Sequence, residues 1–190
     1  YVVRRKLLLT FLRKLLTAYR YRGKDSDYEL EGTLHNFVCP VQVSSHGVNA
    51  SNHDLWLIDE RLTFAKAFGS DIPLRDLMTH SESGDRPDVI VFDRAFGLRH
   101  SENDPTVLIV EFKRPGRQEY PDSENPQFQI ERYIRQLQSS REVDLRGRPV
   151  RLPDNVRFHC YLVADRRGKL LDWTASWSRT ADGRGRIHSL

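Results

Sequence analysis

The sequence predicts a mixed α/β domain in which a central sheet is flanked by helices. Two segments, 88–92 and 106–113, are nearly continuous apolar runs, which is typical of strands that are covered on both faces. Apolar side chains recur at helical spacing in residues 2–20 and 127–138, and residues 156–164 form a further strand-like run. A chain of 190 residues is long enough for one such domain with its own core.

The first part of the chain is predicted to begin with a basic amphipathic helix. Basic residues separate the apolar positions of residues 2–20, and the polar run at 22–27 ends the pattern. The segment Leu34 to Val43 is predicted as a short strand that Pro40 interrupts.

Residues 54–68 are predicted as a second helix, with Asn52 or Asp54 as its cap. Its apolar stripe consists of Leu55, Ile58, Leu62, Ala65 and Phe68. Residues 69–85 are rich in Gly, Ser, Asp and Pro, and they are predicted as a loop.

The second half is predicted to contain a hairpin, a helix and a last strand. The loop 94–105 connects the two central strands most simply as a hairpin, and Asn125 before a proline suits the start of helix 127–138. Residues 165–190 are predicted to contain a turn, a short apolar piece and a mobile tail rich in Gly and Arg.

The net charge of +4 is unevenly distributed. Residues 1–22 hold seven basic and no acidic side chains, and residues 141–190 hold 11 basic and six acidic ones. Residues 23–140 hold 12 basic and 20 acidic side chains. Basic ends are compatible with nucleic-acid binding, whereas the acidic middle is expected to attract cations.

Several protein classes are not expected. No apolar run approaches the roughly 20 residues that cross a bilayer, and Arg13 with Lys14 interrupts the only stretch that resembles a signal peptide. Cys39 and Cys160 lie in apolar contexts, which predicts two buried thiols in a cytoplasmic protein. The chain also has no Gly-rich phosphate loop ending in Gly-Lys-Ser or Gly-Lys-Thr.

The predicted organisation is one domain with two appendages. Residues 1–30 are expected to form an N-terminal basic helix and linker, residues 31–178 the domain, and residues 179–190 the tail. Because the chain does not begin with Met, it is expected to be a piece of a longer protein.

Three charged side chains are predicted to converge on one face of the hairpin. Pairing Asp93 with Thr106 in an antiparallel hairpin places Asp88 opposite Glu111. Side chains alternate along a strand, so Glu111 and Lys113 share a face with Asp88. A slip of one residue would turn the second strand over and separate the three side chains.

This arrangement favours a divalent cation. Two facing carboxylates repel each other unless a proton or a cation intervenes, and Mg²⁺ needs few protein ligands because it keeps several of its waters. Lys113 would then lie beside a metal-bound water, where it could orient the water or neutralise charge on a phosphate.

These residues resemble a known signature. Pro87-Asp88, followed after 22 intervening residues by Glu111-Phe112-Lys113, resembles the signature of the PD-(D/E)XK nuclease superfamily. The resemblance implies a restriction-endonuclease-like αβββαβ core with an extra N-terminal helix here. It also implies hydrolysis of phosphodiester bonds, most often in DNA, with Mg²⁺ or Mn²⁺ as the cofactor.

The resemblance extends to three further positions and to a ligand set. It suggests Glu60 as a carboxylate on the helix before the hairpin, and Gln129 with Tyr133 as the Gln-x-x-x-Tyr pair of exonuclease-like members. The implied catalytic residues are Asp88, Glu111, Lys113, Glu60, Gln129 and Tyr133. The implied metal ligands are Asp88, Glu111, Glu60 and the carbonyl of Phe112.

A narrower likeness concerns the segments Leu34–Pro40 and His53–Arg61, which look like nuclease-type C-terminal domains attached to bacterial Hsp90-like ATPases. It implies an ATPase domain in the same polypeptide and a role in defence against foreign DNA. Two alternatives remain open: a catalytically inactive nucleic-acid-binding or scaffolding module of the same fold, and an interaction domain that only positions a partner ATPase.

Overall fold

The computed structural model is α/β, as predicted, with a mixed five-stranded sheet packed between helices. It describes residues 2–19, 29–44, 53–65, 67–92, 106–144, 149–183 and 185–189. The helices are α1 (Val2–Tyr19), α2 (Glu29–Val38), α3 (Leu74–Leu77), α4 (Pro126–Ser140) and α5 (Lys169–Trp173). The strands are β1 (Val43–Ser44), β2 (Phe68–Ser70), β3 (Val89–Val91), β4 (Thr106–Phe112), β5 (Glu142–Asp144), β6 (Pro149–Arg151), β7 (Arg157–Val163), β8 (Ser178–Arg179) and β9 (Arg186–Ile187).

The main sheet has the order β1-β2-β3-β4-β7. Strands β1 to β4 pair with one another in antiparallel orientation. β7 lies on the other side of β4 and runs parallel to it along its full length. A parallel neighbour requires a crossover, and α4 provides most of it. Two short hairpins, β5 with β6 and β8 with β9, lie outside this sheet.

The predicted hairpin register is confirmed. The paired positions are Val89 with Val110, Ile90 with Ile109, and Val91 with Leu108. Continued by one residue, this register sets Asp88 opposite Glu111. The linking loop 93–105 lies outside the described residues.

Each face of the sheet carries its own apolar core, so the central strands are covered on both sides, as predicted. Val89, Val91 and the even-numbered residues of β4 pack against α2 and the segment around Leu55. Ile90 and the odd-numbered residues of β4 pack against α3 and α4. Glu111 and Lys113 continue the odd-numbered row, and this places them on the face of α4.

Two predicted helices and one predicted strand are confirmed. α1 and α4 occupy the expected segments, and the Asn125 side chain caps α4 by accepting a hydrogen bond from Gln127 N at 3.0 Å. β7 occupies most of the segment predicted at 156–164. Among the described residues, no helix is long and apolar enough to span a membrane.

The strand predicted from Leu34 to Val43 is wrong, because its first half belongs to α2. Leu34 and Val38 are one helical turn apart and both are buried against the sheet. Pro40 ends the helix instead of interrupting a strand, and only Val43 of the predicted segment belongs to β1.

The single helix predicted over 54–68 is also wrong. Two 3₁₀ helices, Leu55–Leu57 and Glu60–Phe64, occupy this segment, and β2 begins at Phe68. The apolar stripe is still buried, but pairing of Phe68 with β3 extends the chain before a longer helix can form. Asp54 does not cap the helix, because its carboxylate accepts a hydrogen bond from Trp56 Nε1 at 2.7 Å.

Two further segments differ from the predictions. The loop predicted at 69–85 includes the end of β2 and all of α3. The tail predicted from residue 179 contains the second strand of the β8–β9 hairpin. Both cysteines are free, with Cys39 buried and Cys160 half-buried, and burial raises their pKa values to about 11 and about 12.

Candidate active site at the ends of two strands

The Asp88 carboxylate is tied to the end of β4. Its Oδ2 accepts a hydrogen bond from the backbone N of Phe112 at 2.6 Å. The N–H and C=O of one strand residue point to the same side, so the Phe112 carbonyl also faces the Asp88 side of β4. Asp88 keeps 22% of its side chain exposed, so the carboxylate lies at the open end of the sheet.

Glu111 and Lys113 form a buried ion pair on the face of α4. Lys113 Nζ donates to Glu111 Oε1 at 2.9 Å and to Gln129 Oε1 at 2.7 Å, and both charged residues are only 4% exposed. The backbone N of Lys113 donates to Val163 O at 2.9 Å, which holds the end of β4 against β7. The predicted Gln129 therefore lies where it orients the ammonium group of Lys113.

The second oxygen of Glu111 is buried. Within the described residues, Oε2 accepts no hydrogen bond, and a buried carboxylate oxygen without a partner costs about 1–3 kcal/mol. Burial is the main cause that raises the pKa of Glu111, and Lys113 opposes it. Burial also raises the pKa of Asp88, to about 8, with the Glu111 charge as the second cause and the Phe112 N–H opposing both. Lys113 offsets only part of this effect, so the two carboxylates favour a further cation beside them, as the sequence predicted for facing acids.

Helix α2 contributes a third carboxylate that sequence reasoning missed. Burial raises the pKa of Glu31, while the charge of Lys113 lowers it, and the Glu31 charge in turn raises the pKa of both Asp88 and Glu111. His35, one turn further along α2, lies with Nδ1 3.9 Å from Asp88 Oδ1. If residues 29–38 had been predicted as a helix, the spacing of four residues would have placed Glu31 and His35 on one face. The prediction of a strand from Leu34 did not lead to this pairing.

His35 helps to position the end of β4. Its Nε2 is hydrogen bonded with Ser70 Oγ at 2.8 Å, and its ring stacks on Phe112 with centroids 5.3 Å apart. Burial lowers the pKa of His35, which favours the neutral ring. A neutral ring leaves the negative charge of the site uncompensated on this side.

Glu60 is not brought into this cluster. It begins a 3₁₀ helix, its side chain is 59% exposed, and it forms an ion pair with Arg5 of α1. In the part of the chain that the structure describes, no three His, Cys, Asp or Glu side chains are grouped closely enough to hold a metal ion together. The predicted grouping of Glu60 with Asp88 and Glu111 is therefore not present.

Tyr133 lies near the site and contacts the backbone that precedes Asp88. Its hydroxyl donates to Arg86 O at 3.3 Å, so it holds the backbone just before Pro87 and Asp88. Burial is the first cause that raises the pKa of Tyr133, and the charges of Glu111 and Asp88 raise it further. This contact supports the placement of Asp88. Of the predicted Gln-x-x-x-Tyr pair, Gln129 is the member that contacts Lys113.

The loop after Lys113 is held by its own contacts. Arg117 pairs with Glu124 at 2.8 Å and lies over the ring of Tyr120, whose hydroxyl donates to Arg114 O at 3.2 Å. The charges of Arg117 and Arg114 also lower the pKa of Glu31, so this loop brings positive charge to the acidic side of the site.

The donor set fits a hard divalent cation. Asp88, the Glu111 Oε2 and the Phe112 carbonyl are oxygen donors at one end of the sheet, and Mg²⁺ completes its shell with water. A cation there would give Glu111 Oε2 a partner and would separate the charges of Asp88 and Glu111.

The chain matches no protein-family model, no curated protein and no solved structure. The chemistry of the site follows from its own side chains, which are two neighbouring buried carboxylates, a third acid whose charge acts on both, and a lysine held beside Glu111.

Proposed function

We propose that the chain is a metal-dependent nuclease domain that hydrolyses phosphodiester bonds, with DNA as its substrate. The observation that carries the proposal is the convergence of Asp88, Glu111 and Lys113, in the predicted register, at one end of the sheet. The order of α2, the antiparallel strands β1 to β4, α4 and the parallel strand β7 supports the αβββαβ core that the PD-(D/E)XK resemblance implies, with α3 and one more strand added to it.

Asp88, Glu111 Oε2 and the Phe112 carbonyl are the proposed ligands of Mg²⁺ or Mn²⁺. When bound, such an ion acts as a Lewis acid that lowers the pKa of a water and neutralises charge on the phosphate. The raised pKa values of both carboxylates support this role, because both sites gain from a nearby positive charge.

Lys113 is the proposed group that positions the attacking water or the phosphate. An ammonium group has three N–H donors, and two of them go to Glu111 and Gln129. The third is left to face a ligand, and the two contacts hold its direction before the substrate arrives. A preorganised donor of this kind stabilises negative charge that develops on the phosphate.

Glu31 takes the place in this proposal that the sequence assigned to Glu60. It lies on α2, the helix that precedes the antiparallel strands, and its charge acts on both other carboxylates. We propose that Glu31 tunes the affinity for the cation and orients its waters. A larger protein with an Hsp90-like ATPase domain and a role in defence against foreign DNA remain part of the proposal through the sequence resemblance alone.

Cleavage of plasmid and linear DNA tests the proposal. Wild-type protein is assayed with Mg²⁺, with Mn²⁺ and with EDTA, beside Lys113→Ala and the matched surface variant Lys6→Ala. We expect metal-dependent cleavage that K113A abolishes and K6A retains. Cleavage that persists in EDTA, or full activity of K113A, would refute the mechanism.

Two further measurements define the substrate and the alternative. RNA of the same sequence as the DNA, assayed in parallel, tests the choice of DNA. Folded protein that cleaves nothing with any metal, yet binds DNA with a steep dependence on salt, would instead indicate an inactive nucleic-acid-binding module.

A further inference from the structure

A cavity lies beside the outer edge of β7, apart from the site at the strand ends. Its volume is 660 Å³, and its walls come from the first turns of α4, from β7 and α5, and from the β8–β9 hairpin. β7 is the last strand of the main sheet, and among the described residues no further strand pairs with this edge. None of the residues proposed for metal binding or catalysis lines this cavity.

The cavity concentrates positive charge. Arg166, Arg179 and Arg186 line it, and none of the lining residues in the described part of the chain is an Asp or a Glu. Among the described residues, none of the three forms an ion pair with a carboxylate, and the guanidinium of Arg166 instead donates to Thr174 Oγ1 at 2.8 Å. Desolvation, followed by the charges of Arg166 and Arg179, lowers the pKa of Arg186, so Arg186 lies close enough to both arginines to be repelled by them. An anionic ligand would relieve this repulsion.

The other walls are aromatic and apolar. Trp177 stacks on His188 with ring centroids 5.4 Å apart and planes 8° from parallel, and Ile130 and Leu170 contribute aliphatic surface. The indole Nε1 of Trp177 is buried and has no acceptor in the described part of the chain. The volume is in the range of small-ligand sites, far larger than a bare phosphate requires.

We propose that this cavity binds a phosphate-bearing nucleotide, either free or as part of a nucleic-acid strand. Guanidinium groups pair with phosphate through two parallel N–H donors, and the aromatic and aliphatic walls suit a base. Arg179 is exposed and makes none of the hydrogen bonds that hold Arg166 and Arg186, so it is the arginine best placed to reach a phosphate. Binding here requires neither the metal nor Lys113.

Binding in EDTA tests the proposal, since cleavage is then absent. The probes are deoxyadenosine monophosphate, measured by calorimetry, and a short fluorescent single-stranded oligonucleotide, measured by anisotropy. Arg179→Glu is compared with the matched control Arg135→Glu, which makes the same charge change at an exposed position of α4 outside the cavity. We expect R179E to weaken binding about tenfold or more and R135E to change it less than about threefold.

The two probes distinguish the sources of the nucleotide. If R179E weakens binding of the mononucleotide, the cavity recognises a single nucleotide; if only the oligonucleotide binds and depends on Arg179, it recognises a strand. Equal effects of R179E and R135E, or no binding of either probe to folded wild-type protein, would refute the proposal. If the protein cleaves DNA with metal but R179E does not weaken binding, the cavity proposal is refuted and the nuclease proposal stands. If R179E weakens nucleotide binding but the protein cleaves nothing, the nuclease proposal is refuted and the cavity proposal stands.

Discussion

The carboxylate of Asp88 and the backbone N–H of Phe112 are joined by a 2.6 Å hydrogen bond across the ends of β3 and β4. This bond fixes the Asp88 carboxylate at the end of β4, and it opposes the rise in the pKa of Asp88 that burial and the Glu111 charge cause. The site therefore holds charge in an arrangement that is unfavourable without a cation, and the first two predictions follow from this.

The substitution Asp88→Asn is expected to remove cleavage without unfolding the protein. The amide oxygen can still accept the bond from Phe112 N, while the buried negative charge disappears. We expect metal-dependent cleavage to fall by about 100-fold or more, with a melting temperature in EDTA equal to or above that of wild type. The exposed control Asp76→Asn should change neither quantity. A large drop in the melting temperature of D88N alone would contradict this account.

The stability of the metal-free protein is expected to depend on pH through Asp88. Burial and the Glu111 charge raise its pKa to about 8, above the value of about 3.9 in an unfolded chain. The folded state therefore binds this proton more tightly, so its contribution to stability is complete below about pH 4 and is lost as the pH rises through about 8. Urea unfolding in EDTA at several pH values gives the free energy of unfolding of wild type and of D88N. The difference between the two measures the contribution of Asp88 at each pH. A difference between wild type and D88N that does not change with pH would exclude the shift.

Replacement of Lys113 by Met is expected to destabilise the fold as well as abolish cleavage. Met keeps the apolar stem but leaves Glu111 and Gln129 without their donor. The free energy of unfolding is expected to fall by on the order of 3 kcal/mol at neutral pH, because Glu111 remains buried without its cationic partner. The double variant K113M with Glu111→Gln should recover part of that loss, since it removes the remaining charge. Urea unfolding of the single and double variants measures both effects, and strictly additive losses would contradict the pairing.

Gln129 is expected to act through the position of Lys113. Gln129→Leu removes the 2.7 Å contact to Nζ, and cleavage should fall by about tenfold to 100-fold. Gln138→Leu is the control, because it lies on the same helix with an exposed side chain. Restoration of most of the activity by Gln129→Glu would support a role as an acceptor for Lys113. Wild-type activity of Q129L would show that the contact is dispensable.

Glu31 and Glu60 are expected to differ in their effect on metal affinity. Glu31→Gln removes a charge that acts on Asp88 and Glu111, so the Mg²⁺ concentration for half-maximal cleavage should rise about tenfold. Glu60→Gln removes a half-exposed charge paired with Arg5 and should leave that concentration nearly unchanged. Magnesium titrations of both variants show which of the two glutamates affects metal affinity. A larger effect of Glu60→Gln than of Glu31→Gln would indicate that Glu60, and not Glu31, acts on the metal.

The hairpin could be predicted well because two apolar runs lie on either side of one connection. Pairing the near ends of these runs, Asp93 with Thr106, sets Val89 opposite Val110, and the structure has this pair. The helical segments around the hairpin were less predictable. Leu34 and Val38 suit either a strand or a helix in a short apolar run, and packing against the sheet decided for the helix.

The sequence by itself determined the α/β class, the shared face of Glu111 and Lys113, and the position of Asp88 opposite them. These features depend on side-chain alternation along each strand and on the pairing of two strands that are consecutive in the sequence, so they can be derived from the sequence. Only the tertiary structure brought Glu31 to the site, joined Lys113 to Gln129, paired Glu60 with Arg5 and enclosed the arginine-lined cavity beside β7. These contacts join separate elements, and their free energy depends on burial and charge that exist only once the core has formed.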